Sequence, residues 1–268
     1  MVRIAWGTDW HLDHASRETR REFLASVAAK EADALVIAGD IGTALCVEER
    51  LGDLAEAFPG PVYVVLGNHD FYGSSVAAVR ERIRALATHT PNLVYLSDER
   101  EPVALSEKTA LVGVDGWGDA RYGNWSGTQV ALNDFRLIHD LSWNVARPLA
   151  VEKLRALGDE SALRLRPRLE AAVRGYQTVL VVTHVPPFRE AAWHEGAASD
   201  DDWAPYFACK AVGDVLLEAA GVHPERKIVV VCGHTHGGGE CTPLPNLRVM
   251  TGPAVYGAPT VQPDIVLP

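Results

Sequence analysis

Five apolar runs in this chain stop in the same way. Residues 2–6, 34–38, 62–66, 178–182 and 227–232 are almost continuously hydrophobic. The residues that follow them are Asp9 and His11, then Asp40, then Asn68, His69 and Asp70, then His184, and finally His234 and His236. A strand that does not alternate polar with apolar must be buried on both faces, as in the central sheets of layered proteins with parallel pairing. Helical periodicity fills the gaps: residues 16–30, 47–58, 74–87 and 210–220 carry apolar side chains three and four apart. The order is therefore strand, helix, strand, helix, the pattern of an α/β fold. Residues 93–96 and 110–114 read as further strands, and residues 148–176 as helix divided or kinked by Pro167. A chain of 268 residues with 47% hydrophobic content supports one large core. We expect a single domain over residues 1–268, with residues 115–144 and 185–207 as irregular rims.

The strand ends carry the chemistry. Ligand sites in α/β folds collect outside the carboxyl ends of strands, and neighbouring strands lie about 4.8 Å apart. Five adjacent ends can thus bring Asp9, His11, Asp40, Asn68, His184, His234 and His236 into one site. Asp9 and His11 are two apart, so both point to one side if the strand continues through them. Imidazole with carboxylate and amide oxygens, without thiolate, suits Zn, Fe, Ni or Mn. One zinc ion uses about four ligands. Seven candidates imply two ions sharing a carboxylate, an arrangement that activates a bridging water and clamps both ends of an in-line phosphoryl displacement. Any one of these histidines alone is better read as structural, Asp40 alone as a helix cap, and Asn68-His69 alone as a turn. It is the repetition at five strand ends that points to a site.

Asp9-x-His11, Gly39-Asp40, Gly67-Asn68-His69-Asp70, His184 and Gly233-His234-x-His236 together resemble the ordered motifs of calcineurin-like metallophosphoesterases. The resemblance implies a four-layer αββα sandwich, two mixed sheets flanked by helices, with a binuclear metal centre at one end. It implies that Asp9, His11, Asp40 and His236 hold one ion and that Asp40, Asn68, His184 and His234 hold the other, with Asp40 bridging. It implies that Asn68 and His69 contact the substrate phosphate, that His69 protonates the leaving oxygen, and that Asp70 orients His69. The ions would be two divalent or trivalent ions, Mn, Fe, Zn or Ni.

The implied activity is hydrolysis of a small phosphate mono- or diester by in-line attack of a hydroxide bridging the ions. The tetrad ends in Asp70 where Ser/Thr protein phosphatases carry glutamate, and Phe71-Tyr72-Gly73 lacks their following arginine, which disfavours protein substrates. Phe71-Tyr72-Gly73 and residues 132–138 resemble a bacterial-type branch that says little about substrate. For substrate contacts we single out Trp117, for stacking, and Arg121, for phosphate. The alternative reading is that the tryptophans of that loop only pack it. His194 reads as a solvated loop histidine, and Asp200-Asp201-Asp202 as a solvated face.

Competing activities are a nuclease of the same superfamily and, ranked last because every ligand position is filled, a scaffold like the family's retromer subunit. A net charge of −10 argues against duplex nucleic acid as partner. No run reaches the roughly 18 apolar residues of a membrane span. A strand beginning at Val2 leaves no room for a cleavable leader. Cys46, Cys209, Cys232 and Cys241 are scattered and read as reduced core thiols, so a cytoplasmic location is expected.

Overall fold

The computed structural model describes residues 1–142 and 147–268. Residues 143 and 144, at the end of the expected first rim, lie outside the described residues. In chain order the strands are β1 (Val2–Gly7), β2 (Ala34–Ala38), β3 (Val62–Val65), β4 (Leu93–Tyr95), β5 (Val103–Ala104), β6 (Thr109–Val114), β7 (Thr178–Thr183), β8 (Trp193–His194), β9 (Ala197–Ala198), β10 (Lys227–Cys232), β11 (Gly239–Leu244), β12 (Leu247–Thr251) and β13 (Ile265–Leu267). The helices are α1 (Arg17–Ala28), α2 (Val47–Ala57), α3 (Val76–His89), α4 (Asp134–Leu137), α5 (Arg147–Gly175), α6 (Ala204–Phe207) and α7 (Lys210–Val222).

Two sheets face each other. The first has the order β13-β1-β2-β3-β4 and the second β11-β12-β10-β7-β6-β5. The pairs β1–β2, β2–β3 and β3–β4 are parallel, as are β6–β7, β7–β10 and β10–β12, whereas the edge strands β13, β5 and β11 run antiparallel. Successive side chains of a strand point to opposite faces, so every long apolar run serves two cores. In β2, Val36 and Ala38 turn inward with Ile4, Trp6, Val65, Leu180, Val182 and Val231, forming the seam between the sheets. Leu35 and Ile37 turn outward and pack with Val27, Leu51, Leu54 and Val79 from α1, α2 and α3. On the far side, Val112, Val181 and Val230 meet Leu165, Leu169, Val212 and Leu216 of α5 and α7. The result is a four-layer αββα sandwich of mixed sheets, the expected fold. Each fully buried aliphatic side chain in these layers contributes about 1.5–3 kcal/mol.

Helix α5 departs from expectation. It runs unbroken through Pro167. Proline removes the bond to the carbonyl four residues back, here that of Leu163, whose side chain is 73% exposed. Pro167 is itself exposed, so the ring and the freed carbonyl fall on the solvent side and the helix continues.

A buried carboxylate ties the two sheets together where the strands end. Asp115, just beyond β6, accepts from the backbone N–H of Leu66 just beyond β3 at 2.8 Å. It also accepts from Arg80 of α3 at 3.0 Å, Tyr95 at 2.5 Å and Ser97 at 2.7 Å. The carboxyl ends of both sheets are thereby fixed relative to each other.

Candidate metal centre

All seven candidate ligands lie at that end of the sandwich, together with His69. Their convergence does not come from continued strands. Asp9, His11, Asp40, His234 and His236 have φ of 52°, 40°, 54°, 72° and 59°, a left-handed conformation uncommon for residues with a side chain. The chain leaves β1 at Gly7, so Asp9 and His11 meet because the backbone coils, not because a strand persists. Strain of this kind costs on the order of 1–3 kcal/mol per residue and collects at functional sites. The turns leave no spare room: a Cβ on Gly67 would fall 2.2 Å from the Asp40 carboxylate, and one on Gly233 would fall 1.9 Å from Thr8 Oγ1.

Asp40 is central. Its Oδ2 lies 3.6 Å from His11 Nε2 and its Oδ1 lies 3.4 Å from His184 Nε2. Asp9 Oδ1 is 3.5 Å from His236 Nε2 and 4.0 Å from His11 Nε2, and His11 and His236 bring their Nε2 atoms within 3.0 Å. Around Asn68, the amide oxygen lies 3.1 Å from His184 Nε2 and 2.9 Å from His234 Nδ1. Asp9, His11, Asp40, His184 and His234 are almost fully buried.

One of these contacts, between Asn68 and His234, is short of a proton. The Asn68 amide donates its N–H to Asp134 Oδ1 at 2.7 Å, which fixes the oxygen toward the histidines. His234 Nε2 faces the Tyr206 carbonyl at 3.2 Å, so that nitrogen carries the proton and Nδ1 presents a lone pair to the Asn68 oxygen. The opposite tautomer only moves the lone-pair conflict to Tyr206. Burial, then the charge of His184, pushes His234 down to about 3, so a second proton does not resolve it. His11 Nδ1 is buried without a partner. A cation between the Asn68 oxygen and His234 Nδ1 satisfies both, and the donor set of imidazole, carboxylate and amide oxygen fits Mn, Fe, Zn or Ni.

Without ions, His184 takes the positive charge. Burial opposes protonation, but Asp40 and then Asp9 outweigh it and raise His184 to about 10. Asp40 correspondingly lies well below the usual carboxylate range, burial being overcome by His184 and His69. Burial pushes His11 down to about 4 despite Asp40.

Asp70 does not orient His69. One carboxylate oxygen accepts from the N–H groups of Asp40 and Gly67 at 2.9 and 2.8 Å, and the other from Ile41 and Gly42 at 2.9 and 3.0 Å. The side chain is fully buried beneath the loop that carries Asp40, and its acceptor capacity goes to that loop. Burial and the Asp40 charge push its carboxyl up to about 8, whereas the four N–H donors favour the carboxylate. His69 is instead held by stacking on Tyr72, with ring centroids 4.2 Å apart, and by contact with the His11 ring at 4.5 Å.

Two expected substrate contacts also move. Trp117 is 2% exposed and packs on Phe71 at 5.2 Å, filling core rather than facing the cleft. Arg121 bonds Asp119 at 2.9 Å and both oxygens of Asp159 at 2.8 Å. Asp119 also accepts from Ala211 N–H in the first turn of α7, so Arg121 belongs to a helix-anchoring cluster. Asp200 accepts from the N–H groups of Asp202 and Trp203, and Asp201 pairs with Arg189, so the acidic run stabilises its own loop.

The cleft above the centre has a volume of about 630 Å³ and is lined by Asn68, His69, His234, His236, Tyr72 and Asp134, among others. Asp134 and Tyr256 are residues the motifs did not signal. Asp134 Oδ1 accepts from both Asn68 and the Tyr72 hydroxyl, at 2.7 and 2.6 Å. An acid just after Leu132 in a Trp/Asn-rich segment was the available clue. Tyr256 packs its ring against His11, His14 and His236 at 4.5–4.8 Å, and nothing in its local sequence announces this.

The calcineurin-like phosphoesterase family pattern matches residues 2–238. The chain belongs to that family. The calcineurin-like fold recurs in phosphopantetheinyl hydrolase from Mycobacterium tuberculosis, with a TM-score of 0.67 at 16% identity over 95% of this chain and 89% of that one. A dimetal phosphatase from Danio rerio aligns with a TM-score of 0.59 at 15% identity over 96% and 88% of the two chains. TT1561 of Thermus thermophilus aligns with a TM-score of 0.55 at 14% identity over 94% and 89%. At such identities the likeness speaks to the fold alone. No curated protein matches this calcineurin-like chain at a significant level. Among the described residues no helix is long and apolar enough to cross a membrane, and the four cysteines are free thiols.

Proposed function

We propose that the protein is a two-ion phosphohydrolase acting on a small phosphate ester. The observation that carries this reading is the 2.9 Å approach of Asn68 Oδ1 to His234 Nδ1, two lone pairs with no proton between them, beside His184 Nε2 at 3.1 Å. Asp40 supports it by presenting one carboxylate oxygen to each half of the centre. In this reading Asp9, His11, Asp40 and His236 hold one ion, and Asp40, Asn68, His184 and His234 hold the other. When bound, two such ions neutralise the phosphoryl oxygens and lower the pKa of water from 15.7 to about 7.

The chain's own groups do the rest. His69 lines the cleft and is only half buried, with its plane set by Tyr72, so its ring is placed to give a proton to the departing oxygen. Asn68, locked by Asp134, presents its oxygen inward in a single orientation. Asp70 braces the Asp40 loop through three backbone bonds and its own turn through a fourth, from Gly67.

The test is hydrolysis of p-nitrophenyl phosphate by the purified protein reconstituted with manganese. Asp40→Ala is expected to lower turnover by at least about 10³-fold. Retained activity in that variant overturns the assignment.

A further inference from the structure

We propose that the substrate's leaving group carries a flat, uncharged ring, and that this ring lies against Trp203 and His194 in the cleft they share with His69. The proposal rests on the phosphohydrolase reading above and specifies its substrate class.

An aromatic ladder leads outward from the centre. His234 meets Phe207 edge-on at 5.2 Å, Phe207 stacks on Trp203 at 4.9 Å with planes 23° apart, and Trp203 meets His194 at 4.7 Å. All four residues line the same cleft. Phe207 is buried, whereas Trp203 and His194 keep part of their surface open. A planar group entering beside the centre would therefore find ring faces along one wall. The stacked pair His69 and Tyr72 lines the same cleft, so a leaving oxygen near His69 shares the cleft with its ring on the shelf.

The shelf is anchored. His194 sits in the β8–β9 hairpin, whose two-residue tip, Glu195 and Gly196, has φ of 50° and 83°, the left-handed pair of a tight hairpin turn. A Cβ on Gly237 would fall 2.2 Å from the Trp193 carbonyl oxygen. The hairpin thus presses directly on the segment that follows His236. Trp203 is fixed by its N–H bond to Asp200.

Charge decides what kind of ring. Among the described residues no lysine or arginine lines the cleft, while Asp134 and Glu195 do. A leaving group with its own phosphate or carboxylate would meet those acids without a counter-cation. The same deficit counts against a nucleic-acid strand, whose backbone is bound by neutralising its phosphates.

The experiment compares adenosine 5′-monophosphate with ribose 5-phosphate on the manganese-loaded protein. Both release the same kind of primary alcohol and differ in the ring. Stacking on an aromatic shelf predicts a kcat/KM about tenfold or more higher for the nucleotide, mainly through KM. Trp203→Ala should collapse that ratio toward one, and Trp203→Phe should restore most of it. Orotidine 5′-monophosphate, which adds a carboxylate to the ring, should be several-fold worse than uridine 5′-monophosphate. Equal kcat/KM for adenosine 5′-monophosphate and ribose 5-phosphate, with p-nitrophenyl phosphate still hydrolysed, overturns the ring proposal and leaves the phosphohydrolase reading standing. Failure to hydrolyse p-nitrophenyl phosphate overturns the reading on which the proposal depends, and the proposal with it.

Discussion

The floor and the walls of the cleft are built on different principles. The floor comes from strand ends: Asp9, Asp40, Asn68, His184 and His234 follow β1, β2, β3, β7 and β10, with Asp9, Asp40 and His234 in left-handed turns braced by Asp70 and by the His234 N–H bonds to Asp9. The walls come from distant pieces, with Asp134 next to α4, His194 on the β8–β9 hairpin, Trp203 before α6 and Tyr256 in the segment before β13. The floor needs fixed chemistry, so its residues sit in short motifs on rigid elements. The walls need only shape, so almost any segment that folds back over the sheet ends can supply them.

Substitutions can break this division or sharpen it. Among the substitutions below, the largest effect is expected at His69, beside the floor. His69→Ala should lower kcat by about 10²–10⁴ for esters with poor leaving groups, and less for p-nitrophenyl phosphate, which needs little protonation. Its metal content should match the wild type. Loss of metal would instead make His69 a ligand and redraw the floor.

Asp70→Asn probes the brace beneath the floor. The amide places N–H groups against backbone N–H groups that now find an acceptor, a loss of about 3 kcal/mol. For a chain of this size that lowers Tm by roughly 6–12 °C. A fall in kcat with unchanged Tm would return Asp70 to an orienting role for His69.

The smallest effect is expected at Arg121. Its pair with Asp159 is exposed, whereas Asp119 is buried and keeps the bond from Ala211 N–H, so Arg121→Ala should cost about 1–3 kcal/mol in a denaturant titration and leave kcat/KM within twofold. A tenfold rise in KM would put this arginine back on the substrate.

The same division explains what the sequence disclosed. The continuously apolar runs in β2, β3 and β7 reported two buried faces, hence two sheets and outer helices, and the polar residue closing each run reported the floor. Pro167 misled because helix breaking depends on where the freed carbonyl points, and Leu163 points outward. Asp70 misled because an acid beside a histidine in sequence need not touch it: the chain turns after Gly67 and sends the carboxylate under the Asp40 loop. Trp117 and Arg121 were plausible as rim residues by type, but burial and ion pairing are decided by α7 and Phe71, remote in sequence. The aromatic shelf at Trp203 and His194 arises only when the hairpin folds down beside His236.

In the proposed centre, Asp40 joins two ion sites. Elemental analysis of protein stripped with chelator, reloaded with manganese and desalted measures this directly. Two equivalents of metal are expected per wild-type chain and at most one in Asp40→Asn. One equivalent or none in the wild type at saturating manganese would contradict it.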